Sequence, residues 1–174
     1  ELTIQAGTRI HLHKNAYLFN YKGTLNIEGT AANPVTIQSD RLEAFYSDVP
    51  GQYYGVYFKE ARPSTFEHVI IKNGTTGIHI EGADPSNGTN PTLTINNSLV
   101  YSHAYYGILS FAGARIKAEN TVIAKNGIHA FMNLAGSAFD FNHCTFLSYG
   151  LGTKQAAAIG ISDFYQTNTQ TIVT

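Results

Sequence analysis

Charge is what this chain has least of. Only 13% of its 174 residues are charged, about half the ~25% usual in soluble domains. Eleven basic residues stand against 12 acidic ones for a net charge of −1, and no basic run occurs, which argues against a nucleic-acid partner. The single cysteine, Cys144, excludes an internal disulfide and any metal site built on paired thiolates. No apolar run approaches the ~20 residues of a membrane-spanning helix. No cofactor or metal site is expected.

What is present is repetition. The segments STFEHVIIKNG, LTINNSLVYSH, IKAENTVIAKN and FDFNHCTFLSY between Ser64 and Leu147 align on His68, Asn97, Asn120 and His143, at steps of 29, 23 and 23 residues. Two places upstream stand Phe66, Ile95, Ala118 and Phe141, and three places downstream Ile71, Val100, Ile123 and Phe146. Polar residues fill the places between, such as Glu67, Asn96, Glu119 and Asn142. Alternation with period two, renewed in every copy, predicts stacked parallel strands. A unit of this length built from short strands and Gly/Asn turns predicts an all-β solenoid of about seven coils filling residues 1–174 as one domain. The longer first step is accounted for by a turn-rich insertion, residues 82–91. Broad sheet faces carrying Thr, Ser, Asn and Tyr explain the shortage of charge. Neither strand-like end, Leu2 to Ile4 or Thr171 to Thr174, has a polar capping unit, so a mature or incomplete piece of a longer protein is expected.

Residues 1–38 hold three shorter alternating runs, read as the first coils. His11 and His13 lie two residues apart but have no recognisable third ligand, so they read as a sheet-face pair rather than a metal site. Residues 39–57 interrupt the repeat. There Phe45, Tyr46, Tyr53, Tyr54 and Tyr57 gather around a Pro50-Gly51 turn, with Asp40, Arg41, Glu43 and Asp48 among them. A long loop on a rigid scaffold is a place for function, and its aromatic rings suit a sugar face or a protein partner. The alternative is a cover for one sheet edge. His79 and His129 each follow Gly-Ile and read as matching positions two coils apart. Beyond Phe146, Gly150, Gly152, Gly160 and the alanines at 156–158 suggest one further coil.

Catalytic constellations are sparse. Glu119 and Asp140 share an outward face, and Lys117 stands opposite Asp140, which predicts a cross-strand ion pair. Glu67 lies in the column of Glu119, two coils away. Neither arrangement is the convergent carboxylate pair that glycoside hydrolysis needs, and the Asp40, Glu43 and Asp48 spacing fits no calcium loop. Three Asn-X-Ser/Thr sequons, at Asn73, Asn87 and Asn96, are expected by chance in so Asn- and Thr-rich a chain.

The run LTIQAGTRIHLHKNA…GTLNIEGTAANPVTIQSDR, followed by VPGQYYGVYF and IIKNGTTGIHI, resembles right-handed parallel β-helix repeat proteins, and among them the outer-membrane or cell-surface lipoproteins of Bacteroidota. The resemblance implies three parallel sheets wound as a right-handed coil, with the His68, Asn97, Asn120 and His143 column as a polar stack at one turn. Histidine at two of its four places departs from an all-Asn ladder. Beside that resemblance, the intact repeat, the lack of convergent carboxylates and the aromatic insertion at 43–57 lead to the expectation of a non-catalytic scaffold or binding protein on the bacterial surface, an accessory subunit that meets an outer-membrane protein or a surface glycan. A lipid anchor would lie outside this chain. Since this fold also carries polysaccharide lyases and glycoside hydrolases, a carbohydrate-active enzyme is the alternative.

Overall fold

Successive side chains of a strand point to opposite faces, and in the computed structural model the alternating runs become short parallel strands. The structure describes residues 1–148, 156–166 and 171–173. A first sheet stacks Leu2–Gln5, Leu25–Glu28, Ser64–Glu67, Leu93–Asn96, Arg115–Glu119 and Ala138–Asn142. A second stacks Arg9–Leu12, Val35–Ser39, Val69–Lys72, Leu99–Tyr101, Val122–Ala124 and Thr145–Leu147. The third stacks Tyr17–Tyr21, Gly55–Ala61, Thr76–Ala83, Tyr106–Phe111, His129–Leu134 and Ile159–Ser162. The chain visits the three sheets in order, so the whole is a parallel β-solenoid. The described residues form no α-helix, only two 3-10 turns at Ala44–Tyr46 and Pro85–Asn87.

The pairing register is the one the repeat predicts. Phe66, Ile95, Ala118 and Phe141 lie opposite one another in the first sheet, and Ile71, Val100, Ile123 and Phe146 in the second. These columns, with Val56, Ile78, Ile108 and Phe131 of the third sheet, point inward and supply much of the buried core. Volumes are traded within a turn: Ala118 of the first sheet shares its turn with Phe131 of the third, and Phe131 packs edge-on against Phe141 at 4.8 Å. That trade keeps the interior filled without strain.

His68, Asn97, Asn120 and His143 form the corner between the first and second sheets. All four have left-handed backbone, with φ of 48°, 51°, 49° and 52°, a conformation for which Asn and His are enriched among non-glycine residues. Each of the first three donates its N–H to a carbonyl of the next turn. Side chains continue the ladder: Asn120 Nδ2 donates to Asn97 Oδ1 at 3.3 Å and Asn97 Nδ2 to Glu67 Oε1 at 2.6 Å.

Four expectations are corrected. Among the described residues six turns are complete instead of about seven, because the first two alternating runs of residues 1–38 feed two strands each and the third only one, so that each run advances less than one turn. The expected further coil beyond Phe146 is not formed by the described residues: Ile159–Ser162 closes the sixth turn, and Phe164–Gln166 then pairs antiparallel with Thr171–Val173. Gly150, Gly152 and residues 167–170 lie outside the described residues. His129 does not match His79. It lies opposite Tyr106, whereas His79 continues into Leu109 and Met132, because the Gly-Ile at 127–128 falls three residues ahead of the register. Finally, Lys117 and Asp140 do face each other but form no ion pair; both side chains end in water, where such a pair gains little.

Candidate functional site

Residues 40–54 leave the second sheet after Ser39 and return as the third-sheet strand that starts at Gly55, so Tyr57 belongs to a strand rather than to the loop. The loop is tied down. Asn73 Nδ2 donates to the carbonyls of Ser47 at 3.0 Å and Val49 at 3.1 Å. Gln52 Nε2 donates to Val49 O at 2.7 Å and Tyr46 O at 3.0 Å, and Ser39 Oγ donates to Gln52 Oε1 at 2.7 Å. Backbone bonds from Gly51 and Gln52 to Gly74 and Asn73 complete the tether. Asn73 and Asn87 are both buried, which removes two of the three sequons from the surface.

The five aromatic residues proposed from sequence separate into three groups. Tyr53 is 1% exposed, and its hydroxyl donates to Lys72 O at 2.9 Å; its ring fastens the loop to the core. Phe45 is 79% exposed and meets Tyr46 edge-on at 5.0 Å, while the Arg41 guanidinium covers the Tyr46 ring at 3.7 Å. Tyr54 and Tyr57 lie together at the third sheet, and Tyr17, which the sequence did not single out, completes them. Its ring stands 5.9 Å from Tyr54 and 6.4 Å from Tyr57. With Asn15, Gly51, Tyr53 and Thr75 these three border a cleft of about 350 Å3. Tyr17 and Phe19 alternate outward along one strand, a signal that was available in the sequence.

His79 supports the cleft. Its ring stacks on Tyr57 at 4.6 Å and on Phe111 at 5.3 Å, and Nδ1 is 2.8 Å from the Tyr54 hydroxyl. Nε2 is buried without a partner. Burial holds its pKa at about 4 against a weaker opposing pull from Glu81, so the ring is neutral near pH 7. Tyr57 donates its hydroxyl to Glu81, which Lys59 approaches at 3.5 Å. Burial first, and then this bond and charge, push the Tyr57 phenol well above its ordinary range. The Tyr57 phenol therefore keeps its proton at neutral pH, and the cleft offers aromatic faces beside the Tyr54 and Tyr57 hydroxyls, held by His79 and Glu81. Chemically it is suited to holding a flat, hydroxylated ligand. Among the described residues no group of three or more His, Cys, Asp or Glu side chains is placed to hold a metal ion. His11 bonds Ser39 O at 3.2 Å, and His13 bonds Asp40 at 2.6 Å beyond the end of its strand. His68, Asn97 and Asn120 lie at the solenoid corner, away from this cleft, with His143 in the same column.

No curated protein and no solved structure matches the chain. A family model described as the right handed beta helix region matches residues 25–172, which cover five of the six turns and most of the antiparallel strand pair that follows. With parallel strands, registered columns and left-handed corners already in place, the chain belongs to the right-handed β-helix family.

Proposed function

We propose that the chain is a non-catalytic binding protein of the bacterial cell surface whose aromatic cleft holds a sugar unit of a surface glycan. The carrying observation is the cleft of about 350 Å3 bordered by Tyr17, Tyr54 and Tyr57, a size within the range of small-ligand sites. Aromatic faces suit the apolar face of a sugar ring, while Asn15, Thr75 and the tyrosine hydroxyls suit its hydroxyl groups. A non-catalytic role is favoured because hydrolysis requires two carboxylates about 5–10 Å apart, whereas the carboxylate bonded to the cleft is Glu81, already engaged by Tyr57 and Lys59. The surface placement, and service as an accessory subunit of an outer-membrane assembly, rest on the likeness to Bacteroidota lipoproteins alone.

A glycan panel read by calorimetry tests the reading. Tyr17→Ala removes a half-exposed ring without touching the core and should weaken binding by about five- to tenfold, the effect of losing one aromatic contact worth roughly 1 kcal/mol. Binding unchanged by Tyr17→Ala and Tyr54→Ala would remove the cleft from the account. Release of reducing or unsaturated ends would replace it with the carbohydrate-active enzyme. One observation favours a protein partner as a second reading: Phe45 and Leu42 are 79% and 65% exposed on the same tethered loop. On that reading Leu42→Ser with Phe45→Ser abolishes co-isolation with an outer-membrane protein and leaves glycan binding intact.

A further inference from the structure

The second sheet presents a different chemistry. A groove of about 340 Å3 on it is bordered by Arg9, Thr36, Gln38, Ile70, Lys72 and Tyr101. Two of these are cations and none is acidic. Arg9 lies opposite Thr36, Thr36 opposite Ile70, and Lys72 opposite Tyr101. Two strand spacings and two residues therefore separate the Arg9 and Lys72 backbones, roughly 12 Å in a parallel sheet, with the groove between them.

The two cations are held differently. Lys72 Nζ donates to Ser47 O at 3.1 Å and stands 5.9 Å from the Tyr101 ring centre, so the tethered loop fixes its position and leaves two of its three protons for a ligand. Arg9 has no ion pair and no side-chain hydrogen bond among the described residues. The carboxylate felt at Tyr101 is that of Asp48, which Lys125 already pairs at 3.7 Å. A guanidinium without a counter-charge, beside a second cation, is a ready partner for a carboxylate or sulfate. Thr36 and Gln38 add hydroxyl and amide groups, and Tyr101 adds a ring.

We propose that this groove binds an acidic saccharide unit, its carboxylate or sulfate taken by Arg9 and Lys72 and its ring laid against Tyr101. A bare anion would leave the hydroxyl, amide and ring of the groove unused, and a flat lipid surface would not enter it. The site shares no lining residue with the aromatic cleft and does not depend on that cleft's function.

Calorimetric titration of the whole chain with tetragalacturonate and with a sulfated galactan tetramer tests the site. At least one of them should bind, more weakly as salt rises. Arg9→Gln, at an exposed position with no partner to lose, should weaken that binding by about tenfold or more, as expected for a lost charge-assisted bidentate contact, whereas Tyr17→Ala should leave it unchanged. Fully methyl-esterified tetragalacturonate keeps the backbone without its charge and should not bind. The proposal is overturned if neither acidic tetramer binds, if Arg9→Gln has no effect, or if the ester binds as tightly as the acid. It is equally overturned if inorganic sulfate or phosphatidylserine vesicles show the Arg9 dependence and the tetramers do not.

Discussion

His103 sits at the second corner of the coil with its Nδ1 3.1 Å from the Gly74 N–H and its Nε2 3.2 Å from the Ile71 carbonyl. Those two bonds define a neutral ring, with Nδ1 accepting and Nε2 donating. The side chain is fully buried, and burial holds its pKa at about 4 against the pull of the Ile71 carbonyl, while the bond from the Gly74 N–H requires an unprotonated Nδ1. The unfolded chain has the ordinary value of about 6.5. Between those limits the unfolded state takes up a proton that the folded state refuses, so stability falls as pH drops from about 6.5 towards 4 and is level above that window. The loss from His103 is on the order of 3 kcal/mol, and His79 adds to it in the same direction. Melting temperature measured across pH 4–8 should show this decline, and His103→Asn should flatten it whatever the change in absolute stability. His103→Ala at pH 7 should cost about 1–3 kcal/mol for each backbone group left unpaired. A steep acid decline that survives His103→Asn unchanged would assign it to other groups.

At the scale of the element, corners and tethers matter more than strands. Gly77 is the second residue of the third-sheet strand Thr76–Ala83, where a Cβ would lie 2.5 Å from the Gly107 carbonyl oxygen and 2.7 Å from His103 Nε2. Gly77→Ala should therefore destabilise by about 1–3 kcal/mol through overpacking, which chemical denaturation would measure. Asn73 is the tether of the aromatic loop, and Asn73→Ala should leave the solenoid folded while raising amide exchange within residues 40–54. Unchanged exchange there would mean that Gln52 alone suffices. Much at this scale was legible in the sequence. Strand register from Phe66 to Phe146 followed from the alternation, and the corner column followed from His68, Asn97, Asn120 and His143, since a period of 23 residues leaves little choice. Matching His129 to His79 failed because a local Gly-Ile signal was set above that period. The aromatic cluster was half legible for a related reason. Proximity in sequence grouped Phe45, Tyr46, Tyr53, Tyr54 and Tyr57, but a solenoid brings together residues one turn apart. Tyr17 therefore joins Tyr54 and Tyr57, while Tyr53 turns inward. His103 gave no signal, because a buried histidine satisfied by backbone groups has no sequence pattern.

Over the whole molecule, each turn rests on its neighbours alone, and stability is shared along the stack. Ile71, wholly buried in the third turn, should cost about 2–5 kcal/mol when changed to Ala. The same rigidity gives the surface its use. Outward residues of successive turns are held at a fixed spacing of about 4.8 Å, so the third sheet can present an aromatic cleft and the second a cationic groove, each preformed. The measurement that tests this account most directly is an NMR titration of the isotopically labelled chain with a saccharide that calorimetry shows to bind. The account predicts shifts confined to Tyr17, Tyr54, Tyr57, Thr75 and their neighbours for a neutral saccharide, with its glycosidic bonds intact afterwards. Shifts that leave those residues untouched, or cleavage of the saccharide during the titration, would contradict it.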